Sequence, residues 1–169
     1  MKHLYFCRHG LSELNKAGRW AGSIETPLTD EGRKQAKLAG LAAKDFGIDY
    51  ILCSPLSRAH ETAAIIADVI GYPLEKLDIN SLVVERHFGM LEGQPWQPDL
   101  DLDGIADIET VDSLMERAYL TLKHLKAVDA DTILVVSHGS FGRALRHVAN
   151  PSIPFKGSRF ENAKIERLL

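Results

Sequence analysis

Two arginines and two histidines stand directly behind apolar runs in this sequence. Arg8 and His9 follow "LYFC", Arg58 follows "YILCSPLS", and His138 follows "TILVVS". Arginine presents a planar fork of N–H donors that matches the oxygens of a phosphate two at a time. A neutral imidazole is a nucleophile able to attack phosphorus. Nearby arginines would then neutralise charge on the equatorial oxygens of a transferring phosphoryl group. Gly10 and Gly139 follow the two histidines and permit close backbone approach, and a helix beginning after "SHG" would aim its N-terminus at the anion. A leaving alkoxide also needs a proton, which a carboxylic acid of raised pKa can supply. Glu85, just past the apolar "LVV", stands where burial would raise it. Each residue alone has an ordinary explanation: a satisfied strand-end histidine, or a solvated arginine at a helix start. The chemistry is carried by their joint occurrence.

The elements that must position these residues are legible from apolar patterning. Residues 3–7 and the stretches "IDYILCS" and "DTILVVSHG" read as buried strands. Between them, "LTDEGRKQAKLAGLAAKDFG" reads as a helix with Thr29 or Asp30 as N-cap and Gly47 just past its end. "SPLSRAHETAAIIADVIG" reads as a second, with Ser54 as N-cap, Pro55 at the first helical position and Gly71 closing it. A third runs from Thr110 to about Lys126 with Leu114, Ala118, Leu122 and Leu125 on one stripe, and "SFGRALRHVAN" forms a fourth. "INSLVVE" is a short strand or extended segment, residues 89–109 are irregular, and residues 163–168 return as an edge strand. Strands that are apolar throughout, alternating with helices, are the signature of an α/β sheet covered on both faces. Parallel strands would deliver Arg8, His9, Arg58 and His138 to one rim, where such sheets bind ligands.

The bulk properties narrow the partners. A chain of 169 residues suits a single domain over residues 1–169, with a short lid segment at about 89–109. Its net charge of −3 gives no reason to expect nucleic acid or an anionic membrane as partner. No run approaches the roughly 20 apolar residues of a membrane span. The start, "MKHLYFCRHG", lacks the apolar core and cleavage site of a signal peptide. Cys7 and Cys53 form no C-x-x-C pair and are expected as buried thiols in a reducing, cytoplasmic setting. Oligomeric state is left open.

The blocks "RHGLSELN", "GSIETPLTDEGRKQA", "CSPLSRAHETA", "ERHFGMLEG" and "VSHG", in that order and spanning nearly the whole chain, resemble the histidine phosphatase superfamily, whose fold is that of phosphoglycerate mutase. The resemblance implies an α/β fold, a three-layer α/β/α sandwich with a mostly parallel central sheet, and catalysis through a phosphohistidine; no cofactor is expected, and no metal, because the arginines serve as the charge clamp. It implies that His9 is the nucleophile and Glu85 the proton donor. Arg8, Arg58 and His138 would form the phosphate pocket, with Asn15 adding a donor. Ser12 either caps the turn or touches substrate. Two positions depart from the family pattern: Leu11 stands where many members carry Glu, Gln or Thr, and Glu25 where Asp is common.

The family divides into mutases, which return the phosphoryl group to an organic acceptor, and phosphatases, which give it to water. "ERHFGMLEG" is similar to the mutase block, including Arg86, which in mutases contacts substrate. Against this, mutases carry a long insertion after the block and a C-terminal tail. Here only residues 94–109 separate Gly93 from the next helix. A site open to water favours hydrolysis of the phosphoenzyme, so a phosphatase acting on a small phosphorylated metabolite is the expected function. The alternatives are a mutase-type phosphotransferase and a non-catalytic phospho-ligand-binding regulatory domain, the latter disfavoured by the presence of His9, Arg58, Glu85 and His138 together.

Two other motifs were weighed. "DLDLDG", residues 99–104, begins like a calcium loop, but the twelfth position is Thr110 and Glu109 falls one residue early. A solvated acidic segment is the better expectation. Zinc on His9 and His138 is opposed by the adjacent arginines and the lack of further ligands. His3, His60, His87, His124 and His147 are expected at the surface. Trp20 and Trp96 either pack under loops or border the mouth of the site.

Overall fold

In the computed structural model of the chain, every residue except Asp99 and Asp103 is described. The apolar runs form β1 (His3–Arg8), β2 (Tyr50–Cys53) and β4 (Thr132–Ser137), joined by the short β3 (Asp78–Ile79) and β5 (Ile165–Arg167). Their order across the sheet is β3-β2-β4-β1-β5. β1 to β4 run parallel, and β5 pairs antiparallel with β1 at the edge. The register sets Arg8 opposite Ser137 and Cys53 opposite Val136. The chain therefore leaves three neighbouring strands at one rim, carrying the "RHG", "SPLSR" and "SHG" segments with it.

Helices cover both faces: α1 (Glu13–Lys16), α2 (Asp30–Ala42), α3 (Ser57–Ile70), α4 (Val111–Ala127) and α5 (Gly139–Ala149). Successive strand residues point to opposite faces, and the core divides accordingly. Leu4, Phe6, Ile133 and Val135 pack with Leu114, Ala118, Leu122 and Leu125 of α4 and with Phe141, Ala144 and Leu145 of α5. Cys7, Ile51, Cys53, Leu134 and Val136 pack with Ala39 of α2 and Ala63, Ile66 and Ala67 of α3. All six residues of β4 are buried, as an unbroken apolar run between two helical layers requires. Both cysteines are free, and burial pushes their thiols up to about 12. No helix among the described residues is long and apolar enough to cross a membrane.

Several boundaries differ from the sequence reading. α2 starts as expected, with Thr29 Oγ1 accepting from Gly32 N at 2.9 Å, but stops at Ala42, and Gly47 serves the following turn instead. α3 begins at Ser57, not Pro55, and Ser54 does not cap it. The Ser54 hydroxyl is engaged with the His138 ring at 2.8 Å. Glu25 takes over the cap, accepting from Ser57 N at 3.0 Å and from the Ser57 hydroxyl, as an acid at a helix N-terminus should. "INSLVVE" splits into β3 and a tight turn over Ser81–Val83, where Asn80 Oδ1 accepts from Leu82 N at 3.0 Å. Three of the histidines expected at the surface have partners: His87 Nδ1 lies 3.0 Å from Glu92 Oε1, His124 lies 3.2 Å from Asp78 Oδ2, and His147 Nδ1 donates to Ile153 O at 2.7 Å.

One ion pair ties the helical layer to the segment that carries Glu85. Arg117 of α4 donates to Glu109 through Nε (2.7 Å) and Nη2 (2.8 Å), while its Nη1 donates to Leu82 O and Val84 O. Glu109 O in turn accepts from Arg86 Nε at 2.8 Å. Burial would raise the Glu109 carboxyl, but the Arg117 fork outweighs it and holds the group below its ordinary 4.5. Both side chains are largely enclosed, so Arg117→Ala should cost about 3 kcal/mol in urea unfolding, the low end for breaking a buried pair. A depressed carboxyl stabilises the fold above its unfolded pKa and loses that contribution as pH falls through the folded one. Wild-type stability should thus fall below about pH 4.5, and this part of the acid dependence should be missing in the variant.

Candidate active site

His9 is 3% exposed at the carboxyl end of β1. Its Nδ1 lies 2.7 Å from Gly10 O. A carbonyl only accepts, so the proton is on Nδ1 and the lone pair is on Nε2. Gly10 holds that carbonyl in place by packing tightly on α2: a Cβ at Gly10 would lie 2.4 Å from Gly32 O. Arg58 Nε donates to His9 Nε2 at 3.3 Å. The rest of its fork is fixed by backbone, with Nη1 on Ile24 O (2.8 Å) and Nη2 on Gly22 O (2.7 Å). Burial, then the Arg58 and Arg8 charges, hold the His9 pKa well below 6.5. The ring is therefore neutral at neutral pH, with the lone pair of Nε2 beside a guanidinium.

His138 is fully buried behind His9, the ring centroids 5.2 Å apart. Burial and the neighbouring Arg58 push its pKa well down as well. With the Ser54 hydroxyl donating to Nε2, the remaining Nδ1–H is a buried donor with no partner. Arg8 donates from Nη1 to Phe160 O at 3.1 Å, and its Nε is also buried without a partner. Asn15 lines the same cavity with its side-chain oxygen unpartnered, an amide end that is interchangeable with the donor end by a flip. Arg86 lines it too. Ser12 does not: it is fully buried and caps α1, accepting from Asn15 N at 3.4 Å, which leaves capping as its role.

Glu85 corrects one expectation. The first-turn amides of α5 do not point at an empty anion site. Ser140 N and Phe141 N donate to Glu85 Oε1, each at 3.1 Å, and Arg86 N joins them at 2.8 Å. Glu85 Oε2 receives only Ser140 N, at 3.2 Å. The helix N-terminus thus positions the protein's own carboxylate. Glu109, on the adjoining segment, is committed to Arg117.

The cavity has a volume of about 880 Å³ and also meets Arg143, Lys156 and Arg159, which sequence reasoning missed. Arg143 stacks over Phe155 (5.2 Å) and Arg159 over Trp96 (4.4 Å). Arg143 is pushed down by burial and by the neighbouring Arg159. Among the described residues, no carboxylate forms an ion pair with Arg8, Arg58, Arg143 or Arg159. Arg143, Lys156 and Arg159 stand singly in the sequence, with no motif to mark them. Trp20 and Trp96 both line the cavity, with ring centroids 6.4 Å apart. Among the described residues no group of three or more His, Cys, Asp or Glu is placed to hold a metal ion. Of the acidic run considered for calcium, Asp99 and Asp103 lie outside the described residues.

Residues 4–168 match the histidine phosphatase superfamily (branch 1). The chain belongs to that superfamily. It is 32% identical to the probable phosphoglycerate mutase GpmB of Enterobacter sp. (strain 638), covering 99% of this chain and 85% of that one. It is 30% identical to the Bacillus subtilis (strain 168) phosphatase PhoE, itself described as uncharacterized, over 95% of this chain and 84% of the other. Its fold matches a mycobacterial glucosyl-3-phosphoglycerate phosphatase with a TM-score of 0.83 at 21% identity, over 99% and 90% of the two chains. This histidine phosphatase fold accounts for the rim on which Arg8, His9, Arg58 and His138 meet. Nitrogen NMR of the His9 ring should report a neutral imidazole protonated on Nδ1 at pH 6. Arg58→Ala removes one of the cations that hold the pKa down, so His9 should then titrate closer to 6.5.

Proposed function

We propose that this protein is a phosphatase that hydrolyses a phosphate monoester of a small metabolite through a phosphohistidine on His9. The observation that carries this reading is the neutral His9 ring, its Nδ1–H donating to Gly10 O and its Nε2 facing the Arg58 guanidinium, in a cavity also lined by Arg8, Arg143 and Arg159. In the first step His9 Nε2 attacks phosphorus and the ester P–O bond breaks. The leaving oxygen takes its proton from Glu85. Oε2 is the oxygen to deliver it, because Oε1 already accepts three amide hydrogens. In the second step Glu85 takes a proton from water, the water oxygen attacks phosphorus, and the P–N bond breaks to release inorganic phosphate and neutral His9. Arg8, Arg58 and His138 Nδ1–H would hold the equatorial oxygens, and Asn15 would add a donor.

Hydrolysis is favoured over transfer to an organic acceptor because rim residues Lys156 and Arg159 are exposed, leaving the site open to water. Arg86 in the cavity wall and the similarity to several probable phosphoglycerate mutases favour the mutase reading. A panel of phosphorylated metabolites assayed for both released phosphate and isomerised ester separates the two. No turnover of any ester would instead leave a phospho-ligand-binding domain.

Rapid quench with labelled substrate should trap an acid-labile, base-stable phosphoenzyme in the wild type and none in His9→Ala. Activity should survive EDTA, since arginines replace a metal as the charge clamp; loss restored by a divalent ion would overturn this part. Glu85→Gln should slow phosphoenzyme formation from alkyl phosphates on the order of 10²–10⁴-fold, the usual size of a general-acid contribution. With p-nitrophenyl phosphate, whose leaving group needs no proton, formation should be nearly spared and a burst should precede slow turnover. Equal loss with both leaving groups would remove Glu85 from the acid role.

A further inference from the structure

Arg58 is fully buried, and two of its three nitrogens are oriented by the carbonyls of Gly22 and Ile24. These two carbonyls flank Ser23 in a turn closed by Ile24 N donating to Ala21 O at 2.9 Å. A turn in a loop is a weak foundation for a catalytic fork unless something fixes the turn itself. The upstream part of the loop is paired with residues 93–96: Gly93 N donates to Trp20 O, Trp20 N to Gln94 O and Trp96 N to Gly18 O. That pairing ends before Ser23.

From there one side chain takes over. Glu92 Oε1 accepts from Ser23 N (2.9 Å) and from Phe88 N (3.0 Å), and Oε2 accepts from the Ser23 hydroxyl at 2.8 Å. His87 Nδ1 lies 3.0 Å from Oε1. The Glu92 side chain is only 9% exposed, so these contacts act in a sheltered setting. Contact with the turn is also steric. Gly22 has φ +49°, and a Cβ there would lie 2.1 Å from Glu92 Oε1. Glu92 thus grips Ser23 while the two neighbouring carbonyls grip Arg58. Its negative charge also favours the Arg58 cation without touching it.

We propose that Glu92 is a positioning residue of the phosphoryl site: its carboxylate fixes the Gly22–Ser23–Ile24 turn, and the turn's carbonyls hold the Arg58 fork against His9. Reacting groups must be held to within about an ångström to be effective. A slack turn would let the fork swing away from the phosphoryl position while the core stayed packed. The inference rests on the reading that Arg58 clamps phosphate, and its test is built on binding so that it does not require turnover.

The measurement is the affinity for inorganic phosphate by calorimetry in wild type, Glu92→Ala, Glu92→Gln, Arg58→Ala and the Glu92→Ala/Arg58→Ala pair, each checked for folding by circular dichroism. Glu92→Ala should bind about tenfold more weakly, and Glu92→Gln should stay within about threefold of wild type, because its amide oxygen still accepts from Ser23 and Phe88. The double variant should be no weaker than Arg58→Ala alone by more than about twofold, the signature of two residues acting as one unit. Losses that multiply, or a folded Glu92→Ala that binds phosphate like the wild type, would overturn the proposal. If Glu92→Ala does not fold, Ser23→Ala takes its place in the same cycle, with about a threefold loss expected in the wild-type background and none with Arg58→Ala. If the wild type itself fails to bind phosphate, the phosphatase reading fails. The Glu92 proposal is then judged by His9 titration, which should rise in Glu92→Ala as it does in Arg58→Ala and would refute the proposal by staying put.

Discussion

A buried guanidinium without a carboxylate partner is the constraint around which this site is arranged. Arg58 has none of its surface exposed, and no ion pair neutralises it among the described residues. Leaving a charge in such a place costs several kcal/mol unless every donor is met. The fold meets one donor on each nitrogen, with two backbone carbonyls and the His9 lone pair, and leaves two N–H donors and the charge. Arg8 adds a second enclosed cation, its pKa lowered by burial. The free site therefore favours an anion before any substrate arrives. Burial first, and then the same two charges, keep His9 and His138 neutral. The cations that favour an anion thus also help to keep the His9 lone pair free.

Negative charge had to be placed with equal care, since a carboxylate in contact with Arg58 would fill the role proposed for phosphate. Glu85, Glu25 and Glu92 all lie close enough to influence Arg58, yet each is occupied elsewhere. Glu25 caps α3 through Ser57, Glu92 holds Ser23 and Phe88, and Glu85 is tied to the first turn of α5. Backbone amides and short hydroxyls take the acids, leaving the arginine forks for ligand. Ser54 follows the same logic. It gives up its place as a helix cap to orient the His138 ring, and Glu25 supplies the cap instead.

How much of this was legible in the sequence depended on how local the signal was. β1, β2 and β4 were readable because each is an unbroken apolar run, and α4 because its stripe repeats at helical spacing. The strand-end residues were readable because parallel strands share one rim. What failed needed knowledge of a distant partner. Ser54 looked like a cap because its local pattern, Ser before Pro, is a cap pattern; the partner that draws it away is 84 positions on. The "SHG" helix looked like an anion site because nothing local says that Glu85 already fills it. Arg143 and Arg159 carry no motif and reach the cavity only through the packing of α5 and the segment after it. Glu92 was invisible for the same reason, its partner Ser23 lying 69 positions away.

The geometry around His9 also bears on the second half of the proposed cycle. Attack through Nε2 places positive charge on the imidazole, and that charge is shared with the Nδ1–H group. The acceptor for it, Gly10 O, is already in place at 2.7 Å. Gly10 cannot drift, because its own N–H donates to Thr62 Oγ1 at 3.1 Å and its α-carbon presses on the backbone of Gly32. Thr62 is anchored in turn, donating to Arg58 O at 2.7 Å. One short chain of contacts thus links the backbone of the residue that faces phosphate with the carbonyl that faces the developing imidazolium. Dipoles fixed before the reaction need no reorganisation as charge appears. Under this mechanism α3 serves both partners at once, presenting the guanidinium of Arg58 and steadying the nucleophile through the Thr62 hydroxyl.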